Sequence, residues 1–165
     1  MDTDLLLEAV RNSLVAIRDP RFYETERGFQ GQLLAELAHR MPDLFPADYV
    51  IIEQEHQKTL ARHGITLRPD VIIHQPYDPA IHATRRDGNF AVIALKLRAG
   101  PTKALGDFKD LITMMDVLHY PVGIFINIGH SHPQFEHTPA GAQGRIVAFA
   151  TRLEANNVLV VEERA

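Results

Sequence analysis

The chain has 165 residues, 45% hydrophobic and 23% charged, enough for one compact domain with a real core. The absence of cysteine excludes disulfides and thiolate metal sites and fits a reducing, cytoplasmic setting. No apolar run reaches the roughly 18–20 residues of a membrane span, and the acidic start MDTDLLLEAV is unlike a signal peptide. With a net charge of −4, any nucleic-acid binding needs a local basic surface, divalent cations or a DNA-binding partner.

In chain order, residues 3–18 read as an amphipathic helix, with Leu6, Val10, Leu14 and Ile17 at helical spacing. A second helix is expected over 24–40, with Phe29, Leu33, Leu37 and Met41 as its buried stripe and Pro42 and Pro46 ending it. Residues 49–55 then read as a strand, followed by a turn near His63-Gly64 and a short strand over 69–74. Residues 75–88, rich in Pro, Asp and Arg, form a loop or hairpin closed by Asp87-Gly88. The most strand-like segment is 89–97. After Gly100-Pro101 a helix is expected over 103–119, with Leu105, Phe108, Leu111, Ile112, Met115 and Leu118 on one face. A buried strand over 122–127, a polar loop over 129–144 and strands over 145–150 and 158–162 complete the chain. There is no internal repeat and no long linker, so residues 1–165 read as one α/β domain around a mixed sheet.

The chemistry centres on the third strand. Side chains two apart share a face, which puts Ile93, Leu95 and Leu97 on the core side and Val92, Ala94, Lys96 and Arg98 on the other. A lysine in so apolar a strand calls for an anionic neighbour or a cleft. On the second strand Asp70, Ile72 and His74 share a face, and on the first Glu53 and Glu55 do. If these strands pair, several carboxylates and one lysine gather at a sheet edge. Phosphodiester hydrolysis uses such a set: carboxylate oxygens hold a hard divalent cation that activates water, and a lysine orients the water or offsets phosphate charge.

Arg68-Pro69-Asp70 followed after about 23 residues by Val92-Ile93-Ala94-Leu95-Lys96-Leu97 resembles the signature of the PD-(D/E)xK, restriction-endonuclease-like nucleases. Glu26-Arg27 at a helix start resembles that family's upstream helix acid, and Glu53 and Glu55 resemble another recurring acidic position. Asp107-Phe108-Lys109-Asp110-Leu111, leading through Tyr120 to Gly123-Ile124-Phe125-Ile126, resembles the helix and strand that follow the motif. The resemblance covers residues 24–128. It implies a restriction-endonuclease-like core and a Mg2+-dependent endonuclease, with Mn2+ as a substitute ion. The substrate would be DNA rather than RNA, in the manner of prokaryotic defence or restriction systems. Asp70, with Glu53 or Glu55, would hold metal, Glu26 would assist, and Lys96 would position the water. A homo-oligomer or a larger complex would supply DNA affinity.

The departure is Ala94, where the family has an acid. An engineered Glu→Ala substitution, a natural pseudo-nuclease acting as a binding or assembly module, and an acid moved to another element, with Glu53, Glu55 or Glu26 as the substitute, are the three explanations. The intact aspartate and lysine favour the first. Arg85, Arg86, Arg98, Lys103 and Lys109 are expected to border the cleft and contact phosphates, with Asp107 beside them. His130-Ser131-His132 is a pair of the kind that can hold Zn2+, with His137 in the same loop, but no third ligand stands at suitable spacing, which favours polar surface over a zinc site.

Overall fold

The computed structural model describes residues 2–45, 49–54, 59–142, 144–155 and 157–164. Helix α1 (Thr3–Ala16) starts where the Asp2 carboxylate accepts the backbone N–H groups of Asp4 and Leu5. Its buried stripe includes Leu6, Val10 and Leu14, all fully buried. A 3-10 turn (Pro20–Tyr23), which the sequence pattern does not announce, links it to helix α2 (Glu26–Leu44). Thr25 caps α2 by accepting from Gly28 N–H at 3.0 Å. Pro42 does not end α2: it sits in the last turn, and the Phe45 N–H still reaches the Met41 carbonyl, while Pro46 lies outside the described residues.

Strand β1 (Ile51–Gln54) starts two residues later than expected, and Glu55 lies outside the described residues. Where only a turn was expected, a one-turn helix α3 (Leu60–His63) ends on Gly64 at φ 75°, the left-handed cap that glycine adopts without strain. Strands β2 (Val71–His74) and β3 (Asn89–Leu97) follow, then helix α4 (Pro101–Leu118), whose first residue is the proline. Strands β4 (Val122–Ile128), β5 (Ile146–Glu154) and β6 (Asn157–Arg164) complete one six-stranded sheet in the order β1-β2-β3-β4-β5-β6. Its centre, β3-β4-β5, is parallel and its two sides are antiparallel. The parallel β3–β4 pair requires a crossover, which α4 supplies.

Both faces of the sheet are buried. On one, α1 and α2 cover Val71, Ile73, Ile93, Leu95, Ile124, Ile126 and Phe149. On the other, α4 covers Ile72, Val92, Ala94, Phe125, Ile146 and Ala148, with Phe108 and Phe125 at 4.9 Å between ring centroids. The Ala94 face is therefore a second core, not an open surface. Gly123 permits this close approach, since a Cβ there would meet the Met115 sulfur at 3.0 Å. Strand β2 is the shorter partner of β3: their pairing stops at Val71↔Ile93, while β3 continues to Leu97. That gap positions the site.

Candidate active site

Alternate backbone N–H groups of a strand face the same edge. The N–H of Arg98 faces β4 by donating to the Ile128 carbonyl, so those of Leu95 and Leu97 face the side on which β2 has ended. Carboxylates take the place of the missing strand. Asp70 Oδ2 accepts from Leu95 N–H at 2.7 Å, and Glu26 Oε2 accepts from Leu97 N–H at 3.1 Å. Four residues after Glu26 on the same face of α2, the buried Gln30 donates from Nε2 to the Asp70 carbonyl at 2.8 Å. The first turn of α2 thereby fixes both acids against the protruding end of β3.

Lys96 stands on the α4 side of this gap. Its Nζ lies 3.6 Å from Glu26 Oε1 and 3.7 Å from Asp107 Oδ1, the latter from the second turn of α4. Burial works to lower the Lys96 pKa, but the charges of Asp107, Asp70 and Glu26 together outweigh it and raise it. Asp107 behaves oppositely, although it is the partner of the same pair. Burial pushes its carboxyl up to about 6; the charge of Lys96 opposes the rise, and the like charges of Asp70, Asp110 and Glu26 add to it. One cation facing several acids explains the asymmetry. The lysine is a firmly protonated ammonium, and the aspartate is an acid whose charge is poorly compensated. Its Oδ2 is buried with no hydrogen-bond partner among the described residues.

The turn from β3 into α4 sets where Asp107 lands. Arg98 adopts a left-handed φ of 51°, unusual for a residue with a side chain. Asn127, fully buried on β4 and in register with Lys96, holds the next residue on both sides: Oδ1 accepts from Ala99 N–H at 2.8 Å and Nδ2 donates to the Ala99 carbonyl at 3.0 Å. Nδ2 also donates to the His132 carbonyl. Neither Gln30 nor Asn127 was found by sequence reasoning. Each acts on backbone groups across long sequence separations, which no local motif announces.

Of the expected site residues, the structure brings Asp70, Lys96, Glu26 and Asp107 together around Ala94, which is 7% exposed. Glu53 lies elsewhere: it pairs with Ile72 in register, level with Val92, and its Oε2 meets His74 Nε2 at 2.7 Å. That is four residues back along β3 from Lys96, roughly 13 Å at the strand rise. Lys103 is exposed and shares a helix face with Asp107, whereas Lys109, two positions beyond Asp107, turns away. Arg98 and Lys103 line a small concavity of about 220 Å3 with Gly100, Pro101 and Thr102, beside the site. Arg85 and Arg86 are at the opposite end of β3, not beside this cleft. In the histidine loop, His130 Nδ1 accepts the His132 N–H, which occupies it in a local turn.

Among the described residues no three acidic or imidazole side chains stand close enough together to ligate one ion. The donor chemistry nevertheless suits Mg2+, which uses one or two carboxylates and completes its shell with water and phosphate oxygens. Asp107 Oδ2, buried and without a hydrogen-bond partner among the described residues, is an oxygen that such an ion would satisfy. No family model, no curated protein and no solved structure matches the chain. What the fold defines is an α/β protein with a six-stranded mixed sheet flanked by helices. Among the described residues no helix is long and apolar enough to cross a membrane.

Proposed function

We propose that the chain is a Mg2+-dependent phosphodiester hydrolase of the PD-(D/E)xK kind, acting on DNA, in which Asp107 supplies the acid that position 94 lacks. The observation that supports this reading is the convergence of Asp70, Glu26 and Asp107 on Lys96 at the point where β2 ends and β3 continues. Asp107 Oδ1 stands beside the lysine ammonium, and a glutamate at position 94 would project into the same region from β3. This favours an acid carried on another element over an engineered Glu→Ala substitution.

Asp70 and Asp107 would hold the ion. A Mg2+ ion held by these two carboxylates would supply activation of the attacking water and offset charge on the leaving oxygen. Lys96, kept protonated by its three acids, donates from Nζ to the attacking water or to a non-bridging phosphate oxygen, which makes it an electrostatic and orienting group rather than a base. Glu26 restrains the ammonium and fixes the end of β3. Arg98 and Lys103 flank the entrance and would meet the flanking phosphates. The net charge of −4 calls for a second copy or a partner to add affinity for the duplex.

The test is incubation of the chain with plasmid DNA and single-stranded RNA in Mg2+ or Mn2+. Divalent-dependent nicking of DNA, lowered by about 100-fold or more in both Asp70→Asn and Asp107→Asn, is the expected result. No cleavage of any substrate, with the ions and candidate partners present, would sink the enzymatic reading. One observation favours a second reading, a non-catalytic binding module: Asp70 and Glu26 each serve as backbone caps, a structural duty sufficient to retain them. That reading expects metal-independent complex formation and no cleavage.

A further inference from the structure

At the far end of β3 from the acidic cluster lies a concavity of about 450 Å3, within the range of small-ligand sites. It opens between α3 and the loop of residues 75–88, and His63, His74, Gln75, Tyr77, Arg85 and Arg86 line it. Asn89 on its wall is seven residues from Lys96, roughly 23 Å along the strand. We propose that this concavity is a separate phosphate-binding site, taking the phosphate of a nucleotide or of a nucleic-acid strand.

The charge arrangement points to an anion. Arg40, Arg145 and Arg164 all lie within 2.9 Å of a carboxylate oxygen. Arg85 and Arg86 have no carboxylate partner among the described residues. Arg85 places its guanidinium 4.9 Å from the centre of the Tyr77 ring, and Arg86 Nη1 faces His119 Nε2 at 3.3 Å. The acids nearby are already engaged. Asp87 accepts from both the N–H and the hydroxyl of Thr84 at 2.7 Å, Glu53 holds His74, and Asp78 caps Ala80 N–H. A phosphate dianion reaching Arg85 and Arg86 would supply the missing negative charge.

The arginines are also held in place. The Thr84–Asp87 turn presents them, and the Gln75 N–H donates to the Gly88 carbonyl at 2.8 Å, closing the loop at its base. Only glycine fits at this closure, because a Cβ on Gly88 would lie 2.5 Å from the Gln75 carbonyl oxygen. Asn89 Nδ2 donates to the Leu118 carbonyl and ties the same segment to the end of α4. Two guanidiniums fixed over a cavity without a counter-charge are a preorganised oxyanion receptor.

Titration calorimetry and amide chemical-shift mapping of the full chain, with a chelator present, test the site. The probes are inorganic phosphate, adenosine 5′-monophosphate and a short single-stranded DNA with or without a 5′-phosphate. Shifts confined to residues 74–89 and 118–119, with Kd raised about 10-fold or more by Arg86→Gln and further by the Arg85→Gln/Arg86→Gln pair, support the proposal. Tighter binding of the mononucleotide or oligonucleotide than of phosphate assigns the source to a nucleotide or strand. Absence of binding at millimolar concentrations of every probe, or binding unchanged in the paired variant, overturns it. These exposed substitutions touch no core contact. Asp70→Asn is expected to leave binding here intact, so failure of the metal-site reading and failure of this one are separable.

Discussion

Asp107 and Lys96 meet at 3.7 Å from two different elements, the helix after the β3 strand and the strand itself, while the residue two before the lysine on β3 is alanine. The pair is unequal. Lys96 is surrounded by three carboxylates, and Asp107 is a half-buried acid whose neighbours are mostly of its own sign. Stability and the proposed function therefore make opposite demands on the same side chain.

Replacing Asp107 by Asn tests this directly. The folded pKa of about 6 lies above the ordinary value of 3.8, so between these the native state binds more protons than the unfolded one. Stability then falls as pH rises from about 4 to about 6 and stays lower above, the reverse of a normal salt-bridged aspartate. Asp107→Asn is expected to stabilise the metal-free protein by about 1–2 kcal/mol at pH 8 and to change little at pH 4. Urea unfolding in a chelator at the two pH values measures it. Destabilisation at pH 8 would make Asp107 a structural partner of Lys96 instead.

Ala94→Glu addresses the position itself. Ala94 is 7% exposed within the cluster that holds Phe108 and Phe125, so a longer side chain crowds it and brings a further negative charge toward Asp107. The expected cost is about 1–3 kcal/mol from overpacking alone. Cleavage is expected to be unimproved by Ala94→Glu in the unaltered chain, but to be partly restored when the glutamate is added to Asp107→Asn. A large gain from Ala94→Glu alone would return the acid to position 94 and favour a substituted site.

The sequence pattern located β3, β4 and the buried stripes of α1 and α2 because period and apolar content are local properties. It also placed Asp70, Lys96 and Glu26 in one site, since an acid before one strand and a lysine on the next converge once the strands pair. It could not show that α4 buries the Ala94 side of the sheet, because a strand apolar on both faces has no alternation to read. The same burial decides Asp107, whose register on α4 depends on the Arg98–Gly100 turn and on Asn127, 20 residues further along. Glu53 was misleading for a related reason: sharing a face with Lys96 says nothing about level along the sheet, which only the register with Ile72 and Val92 reveals.

Asn127 should matter more than its distance from the chemistry suggests. It satisfies the N–H and the carbonyl of Ala99 in a fully buried setting, and Asn127→Ala leaves both without those partners. A loss of about 2–4 kcal/mol is expected, with activity falling further than stability because the start of α4 and hence Asp107 shift. Thermal unfolding and cleavage measured below the melting range separate the two effects. Equal activity per folded molecule would remove Asn127 from the positioning of Asp107.

Lys96→Met closes the argument about the cluster. Removing the ammonium leaves Glu26, Asp70 and Asp107 facing one another without their cation. The raised lysine pKa means that its charge is present throughout the neutral range, and its contribution would fade only as pH climbs past the ordinary lysine value of 10.5. Destabilisation of about 1–2 kcal/mol is therefore expected at pH 8. At pH 5 it should be smaller, because Asp107 is then largely protonated and one repulsion is gone. In the double variant Lys96→Met/Asp107→Asn the loss at pH 8 should be largely recovered, a coupling measured by a double-mutant cycle. Cleavage should not return, because the lysine's donor to the water or phosphate is still missing. Recovery of both stability and cleavage in the double variant would show that the pair serves only to balance charge, and Lys96 would lose its place in the reaction.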